Sequence, residues 1–330
     1  MNDKKQSLKR TVLDEFAKKT VLVIGDIMVD EYITGKVKRI SPEAPVPVLN
    51  YRERSLEAGG ASNVAHNIHS LGAKVYIAGT VAKDDAGMWL REHFEKLGID
   101  THCLIAESNR PTTIKTRYAT KGQQLLRVDN EITSNINEDT QNSILGFLES
   151  NVASIDAVVL SDYKKGVLGN ECFVEKLIEI CNKNNVLISI DSKSRNIVAF
   201  KNASFVKPNN HELEEAVGIH IEDEETLNAA GMKYLSESEA EALIVTRGKD
   251  GISVFLPDKD RQDFPAKDVP IFDVCGAGDT VISTISMGMI SGLSIEESVQ
   301  LANLAAGVVI TKVGTVAVTT DELVRSIDEG

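Results

Sequence analysis

Val21-Leu22-Val23-Ile24-Gly25-Asp26 decides the fold: four β-favouring apolar residues in a row, a glycine, then a carboxylate. A strand with one wet face alternates apolar and polar residues. An unbroken apolar run belongs instead to a strand covered on both faces, as in a parallel sheet between helical layers. The same form recurs at 75–79, 157–160, 186–190, 204–206, 243–246 and 252–255. Helical periods fill the gaps, at about 85–97, 139–150, 170–182, 224–236, 278–291 and 294–312. The segment 61–71 puts Ala61, Val64, Ala65, Ile68 and Leu71 on one stripe and stops at Gly72, a C′ glycine. Alternating strand and helix predicts a doubly wound α/β architecture with a mostly parallel sheet and helices on both faces.

Asp26 is one of several polar residues that close these runs. Asp162 follows AVVLS, Asp191 follows VLISI, Asn209 follows SFVKP and Thr246 follows LIV. Each alone suits a helix N-cap. Five at the same relative place predict a polar-lined crevice beyond the carboxyl ends of the strands, where open α/β sheets bind ligands. Two stretches break the rhythm. Residues 32–57 carry Pro42, Pro45 and Pro47 among β-favouring residues, and 112–129 alternate like antiparallel strands around a Lys121-Gly122 turn. They read either as a small β lid over one edge of the main sheet or as two separate surface hairpins.

Composition narrows the function. The 330 residues are 42% apolar and 26% charged, enough for a packed core. Lys plus Arg number 36 against 49 Asp plus Glu, a formal charge of −13 that repels nucleic acid and anionic lipid. No apolar run reaches the ~18 residues of a spanning helix, and MNDKKQSLKR has no signal-peptide core. The four cysteines form no CxxC pair, and His66 and His69 lack a third metal ligand in view. These features predict a reduced cytoplasmic enzyme without nucleic-acid or membrane partners.

The chemistry concentrates in Asp273-Val274-Cys275-Gly276-Ala277-Gly278-Asp279-Thr280, which runs into an apolar helix. Small residues let consecutive N–H groups converge on an anion at a helix start. The loop is neither a GxxxxGK[ST] phosphate loop nor a GxGxxG dinucleotide fingerprint, which sets aside a Rossmann dehydrogenase. Asp279 has two readings: a first-turn residue matched to the helix dipole, or a base that takes a hydroxyl proton while the Gly276, Ala277 and Gly278 amides stabilise a transferring phosphoryl group. Gly59, Gly60 and Asn63 open a helix where a sugar could approach, and Asp26 and Asp30 follow the first strand. Asn209 and Glu212 fit both a capping box and a magnesium-positioning pair, with Asn210 and His211 between them. Thr246, Gly248 and Gly251 form either a hairpin turn or a phosphate-facing loop. Cys275 has no base beside it.

In this order, GD, GGxxN, NxxE, TxGxxG and GAGD resemble the ribokinase-like (PfkB) carbohydrate kinases from about Val21 to Val318. The resemblance implies a Rossmann-like core with a β lid, ATP and Mg2+ as cofactors, and in-line transfer of the γ-phosphoryl group to a sugar hydroxyl. It makes Asp279 the base and Gly276, Ala277 and Gly278 the anion hole. It assigns Asn209, Asn210, His211, Glu212 and Lys193 to magnesium-bound phosphate, with Asn209 and Glu212 nearest the metal. Thr246, Gly248 and Gly251 become the nucleotide loop, and Asn303 the adenine flank. Asp26, Asp30, Gly59, Gly60 and Asn63 become sugar contacts. Lys193 lies in Asp191-Ser192-Lys193-Ser194 where Asp-Pro-Lys-Gly is usual, and Cys275 stands where Thr is common.

The stretches 39–48 (RISPEAPVPV), 123–131 (QQLLRVDNE) and 161–166 (SDYKKG) resemble the branch acting on heptose 7-phosphate, in ADP-heptose biosynthesis. That implies phosphorylation at O1 of D-glycero-β-D-manno-heptose 7-phosphate. Arg127, Lys164 and Lys165 are the candidates for the distal phosphate, with solvated or structural cations as the other reading. The resemblance also implies one kinase domain over 1–330 that is not fused to a nucleotidyltransferase, a homodimer through the lid, and a potassium site near Asp273. Kinases for ribose- or fructose-type sugars, and a non-catalytic sugar or nucleotide sensor, are the alternative functions.

Overall fold

The computed structural model describes residues 2–121 and 123–329. Helix α1 (Asn2–Arg10) leads to β1 (Thr20–Gly25). The chain then leaves the main layer for a long hairpin, β2 (Ile27–Ile40) and β3 (Pro47–Gly60), and returns through α2 (Ala61–Ser70) and β4 (Lys74–Val81). After α3 (Asp85–Leu97) and β5 (Asp100–Ala106), a second hairpin departs, β6 (Thr113–Thr120) and β7 (Gln123–Asn130). There follow α4 (Glu138–Asn151), β8 (Ala157–Asp162), α5 (Glu171–Lys183), β9 (Leu187–Ser192) and β10 (Phe205–Val206). Next come α6 (Asn210–Val217), α7 (Glu224–Ser238), β11 (Leu243–Thr246), β12 (Ile252–Phe255) and β13 (Gln262–Phe264). Helices α8 (Ala277–Ile290), α9 (Ile295–Val309) and α10 (Thr320–Glu329) end the described chain.

The main sheet has nine strands in the order β13-β12-β11-β10-β9-β8-β1-β4-β5. Its pairings are parallel except at one edge, where β12 runs antiparallel to β11 and β13. The unbroken apolar run of β1 divides between two cores. Val21 and Val23 face α2, α3, α8 and α9, whereas Leu22 and Ile24 face α4, α5 and α7. That two-sided burial is why the run does not alternate. Strand order departs in opposite directions from β1, so the crevice opens where β1 and β8 end. Here Gly25 is a steric requirement: a Cβ on it would lie 2.0 Å from the Ser161 carbonyl oxygen of β8.

The two irregular stretches form one lid. β2 pairs antiparallel with β3 and parallel with β6, and β6 pairs antiparallel with β7, giving the order β3-β2-β6-β7. The parallel β2–β6 pairing excludes two independent hairpins. The lid reaches closer to the core than 32–57 and 112–129 predict, because only Asp26 separates the end of β1 from the start of β2. Of the expected Lys121-Gly122 turn, Gly122 lies outside the described residues. Helices α1, α6 and α10 and strands β5 and β13 are additions to the sequence reading. Leu8 is the single large apolar residue of α1, and β13 is three residues long, so neither carries a readable period. Among the described residues, no helix is long and apolar enough to cross a membrane.

Candidate active site

Helix α8 starts at Gly276, whose φ of 75° is left-handed and whose added Cβ would meet Asn63 Nδ2 at 2.7 Å. Both facts require glycine there. One turn on, Asp279 is 4% exposed. Its Oδ2 accepts from Asn63 Nδ2 at 2.7 Å, and its Oδ1 accepts from the Tyr163 hydroxyl at 2.7 Å. Burial, and then the charge of Asp191, push its pKa up to about 6 against those two hydrogen bonds and the pull of Lys207. The Asn63 amide cannot flip, because its Oδ1 accepts from Asn67 Nδ2 at 3.1 Å. Asn67 Oδ1 in turn accepts from the Thr280 hydroxyl at 2.9 Å. Asn63, the expected sugar contact, is fully buried here and orients the Asp279 carboxyl.

The three cradle amides are not equivalent. The Ala277 N–H donates to the Val274 carbonyl at 3.2 Å, which removes it from the expected anion hole. Among the described residues, the Gly276 and Gly278 amides have no hydrogen-bond partner. Beside them lies a cation that the sequence reading missed. Lys207 Nζ stands 3.4 Å from where a Gly278 Cβ would be and 3.0 Å from Asp191 Oδ2. The attraction of Asp191 and Glu212 outweighs desolvation and holds this buried ammonium protonated.

Asp26 also departs from its assignment. It is 1% exposed and accepts backbone N–H groups from Tyr163 (2.8 Å), Lys165 (2.9 Å) and Val167 (3.1 Å). Its carboxylate holds the loop after β8 and is not presented to a sugar. Burial, followed by repulsion from Asp162, lifts its pKa to about 6. Asp162 adds to the same framework, accepting from Lys164 N (2.8 Å) and the Ser192 hydroxyl (2.6 Å).

A cavity of about 580 Å³ opens on the other side of the α8 start. It gathers Asn209, Thr246, Gly248, Gly251, Gly278 and Asn303, with apolar walls from Ile252, Val281, Ala306 and Ile310. Asn209 and Glu212 make the full capping box of α6, at 2.8 and 2.9 Å. Glu212 Oε1 meets Lys193 Nζ at 3.2 Å. Among the described residues, no group of three or more His, Cys, Asp or Glu side chains is arranged for a metal. A lone carboxylate with an adjacent amide fits a magnesium ion carried mainly by phosphate oxygens and water. Asn210 has a buried Oδ1 without a partner. His211 does not belong with them: its side chain is 77% exposed and turns back to Glu214 and Glu215 of its own helix.

Opposite the cavity, cross-strand partners share one face of the lid. Asp30 pairs with Glu57 and Lys115, Tyr32 with Arg117, Lys115 with Asp129, and Arg117 with Arg127. This face looks inward, because Glu57 Oε2 accepts from Thr315 N at 2.8 Å across the gap to the core. Arg117 Nη1 lies 2.5 Å from Asp30 Oδ1, and a Cβ on Gly59 would meet Asp30 Oδ2 at 2.4 Å. Gly60 has φ of 58°, and a Cβ there would meet Met28 Cε at 2.6 Å, so the glycine pair makes room for the lid. Lys165 Nζ joins the group through Glu131 at 2.6 Å, and Lys115 lies 3.5 Å from the same carboxylate. Lys164 does not join it: at φ of 58° it lines a separate pocket with Asn196 and Phe200. The sequence reading missed Lys115 and Arg117, although their i, i+2 spacing on β6 was available. Asp273 accepts from Cys275 N (2.9 Å) and Gly314 N (3.1 Å), closing the loop beneath the lid.

A family profile described as "pfkB family carbohydrate kinase" matches residues 18–322. The bifunctional protein HldE of Haemophilus influenzae is 42% identical over 313 residues, which cover 95% of this chain and 64% of that protein. The bifunctional protein HldE of Desulfatibacillum aliphaticivorans is 39% identical over 314 residues, with the same coverage. The chain thus spans just under two thirds of these relatives. Among solved structures, the ribokinase of Arabidopsis thaliana complexed with ribose and ATP superposes with a TM-score of 0.75 at 17% identity, covering 94% of this chain and 98% of that one. Phosphofructokinase-2 of Escherichia coli, in complex with substrates and products, gives 0.76 at 19% identity, covering 94% and 99%.

Replacing Asp26 by Asn puts an NH2 where backbone donors need an acceptor. Asp26→Asn should lower unfolding free energy by about 2–4 kcal/mol, the scale for a buried group that loses charged hydrogen bonds. Hydrogen exchange at the Tyr163, Lys165 and Val167 amides should accelerate selectively. Wild-type protection at those amides would contradict this role.

Proposed function

The chain belongs to the pfkB family of carbohydrate kinases, ATP-dependent enzymes acting on sugars, and from that premise we propose that its acceptor is a phosphorylated sugar. The observation that carries this reading is the buried Asp279 carboxyl at the start of α8, between the cavity edged by Gly278 and the inward lid face. ATP occupies the cavity, with adenine between Asn303 and the apolar wall and the phosphates near Thr246, Gly248 and Gly251. The sugar lies under the lid beside Asp30, Gly59 and Gly60. Its hydroxyl gives a proton to Asp279 as its oxygen attacks the γ-phosphorus, and the bond to the bridging oxygen of ADP breaks. The Gly276 and Gly278 amides and Lys207 meet the charge on the moving group. Asn209 and Glu212 would hold Mg2+, which neutralises phosphate charge when bound, with Asn210 and Lys193 alongside.

Lys115, Arg117, Arg127 and Lys165 favour a second phosphate on the sugar, since a dianion needs charge-assisted donors. The resemblance of 39–48, 123–131 and 161–166 supports D-glycero-β-D-manno-heptose 7-phosphate, phosphorylated at O1. A kinase for another sugar phosphate shares every step except recognition of the chain beyond O1. A non-catalytic sensor has no use for a carboxyl poised in this way. A potassium ion near Asp273 would sit in the loop that Asp273 ties to Gly314. We place the reaction in the cytoplasm, where ATP is supplied, and assign a homodimer to the lid, whose strands leave Ile40, Tyr51, Leu126 and Val128 exposed.

Asp279→Asn should lower turnover at least about a hundredfold, the lower end for a lost general base, with ATP affinity kept. Because the base must be ionised, wild-type turnover should fall as pH drops through about 6. Fast turnover by Asp279→Asn removes the base assignment. In a coupled ADP-release assay across a sugar panel, heptose 7-phosphate should turn over fastest; activity restricted to unphosphorylated sugars overturns the substrate. Light scattering should return twice 35.9 kDa, and a monomer mass at working concentration rejects the dimer.

A further inference from the structure

Asp279 receives two hydrogen bonds, and their donors differ in setting. Asn63 is locked inside the molecule through Asn67 and Thr280. Tyr163 belongs to the loop that follows β8, and no step of the phosphoryl transfer uses it. That loop is unusually constrained. Asp26 takes three of its amides and Asp162 a fourth, and it turns through positive φ at Lys164 and Gly166. A non-glycine residue at positive φ costs free energy and persists where the surroundings over-determine it. What the constraint delivers is a phenol hydroxyl 2.7 Å from Asp279 Oδ1. The far face of the ring is closed by Lys193, whose Nζ stands 4.9 Å from the ring centre and 3.2 Å from Glu212.

Resting on the reading of Asp279 as the base, we propose that Tyr163 is a positioning residue for it. With Asn63 on one oxygen and Tyr163 on the other, the carboxylate cannot rotate, and each oxygen keeps a lone pair for an incoming hydroxyl. Removal from solvent, and then the charge of Asp279, raise the Tyr163 pKa well above that of an ordinary phenol, so it remains a donor at every working pH. The charged groups facing Asp279 from elsewhere are Asp191 on β9 and Lys207 after β10, and Asp30 of β2 faces the phenol. Asp191 raises the carboxyl's pKa and Lys207 lowers it, and neither hydrogen-bonds to it. The Tyr163 bond favours the ionised form and its loss favours the protonated one.

The test is the pH dependence of turnover by the full chain carrying Tyr163→Phe, with thermal unfolding as the check on folding. The acid limb should move up by about one pH unit, the scale of one hydrogen bond to a charged group. Turnover near pH 6 should fall roughly fivefold while turnover near pH 8.5 stays within about threefold, with KM for ATP unchanged. A purely structural role lowers the rate evenly across pH and leaves the limb in place. Site-specific 3-fluorotyrosine at 163, a stronger donor of the same shape, should move the limb down, and it decides the matter if the Phe variant does not fold. A folded Phe variant with the wild-type limb, or a fluorotyrosine enzyme with no shift, overturns the proposal. If Asp279→Asn stays active, the base reading fails and this proposal with it; if Asp279→Asn is inactive but the limb never moves, only the role of Tyr163 fails.

Discussion

A carboxyl withdrawn from water must be compensated, and the means of compensation sets its chemistry. Asp279 is compensated by two neutral donors, Asn63 and Tyr163. A direct ammonium partner would depress its pKa and leave a poor base. The nearby ammonium, Lys207, is instead engaged by Asp191 at 3.0 Å. Asp191 therefore acts twice, engaging the cation and repelling the charge of the Asp279 carboxylate. The result is a carboxyl near 6, ionised at neutral pH yet a far stronger proton acceptor than an exposed aspartate. The glycine at 276, the fixed Asn63 amide and the braced 163–167 loop are conditions for that one placement.

The lid and the base loop hang from the same short segment. β1 ends at Gly25, Asp26 braces the loop carrying Tyr163, and β2 starts at Ile27. A shift in the lid's root is thus a shift within one residue of the carboxylate that holds the Tyr163 loop against Asp279. A second tie runs from Glu57 to Thr315, joining the lid to the loop closed by Asp273. The lid face and the Asp279 side are parts of one hydrogen-bonded frame, because the switch point leaves no spacer between them.

The central layer was legible because its strands are buried on both faces, and that burial writes itself as unbroken apolar runs. The start of α8 was legible too, since Gly276 and Asp279 answer local constraints of φ and helix polarity. What stayed hidden depends on pairing across long separations. Tyr163 meets Asp279 across 116 positions, and nothing in Ser161–Gly166 distinguishes its ring from the two lysines beside it. The two lysines have opposite fates because Lys164 turns through positive φ, which the residue type does not announce. Lid register was equally silent. Only the parallel pairing of β2 with β6 brings Lys115 opposite Asp30 and Arg117 opposite Tyr32. Of the paired readings of Asn209 and Glu212, the capping box is present, and it uses Glu212 Oε2 while Oε1 faces Lys193.

On the proposed reading, a chain of net charge −13 would receive two polyanions through local cations, and in this crevice each of those cations already has a carboxylate. Lys207 pairs with Asp191, Lys193 with Glu212, Arg117 with Asp30, and Lys165 with Glu131. A phosphate entering there would compete for ammonium and guanidinium groups, and a weak or singly charged anion would gain little from the exchange. Pre-pairing keeps the cations ordered, which lowers the entropy lost on binding, and it keeps the empty cleft from holding an unbalanced buried charge. The acidity of the chain as a whole and its affinity for anions at one cleft are compatible because the field that matters is set within a few ångströms. At that range the paired lysines and arginines, and the amides at the start of α8, outweigh the net count.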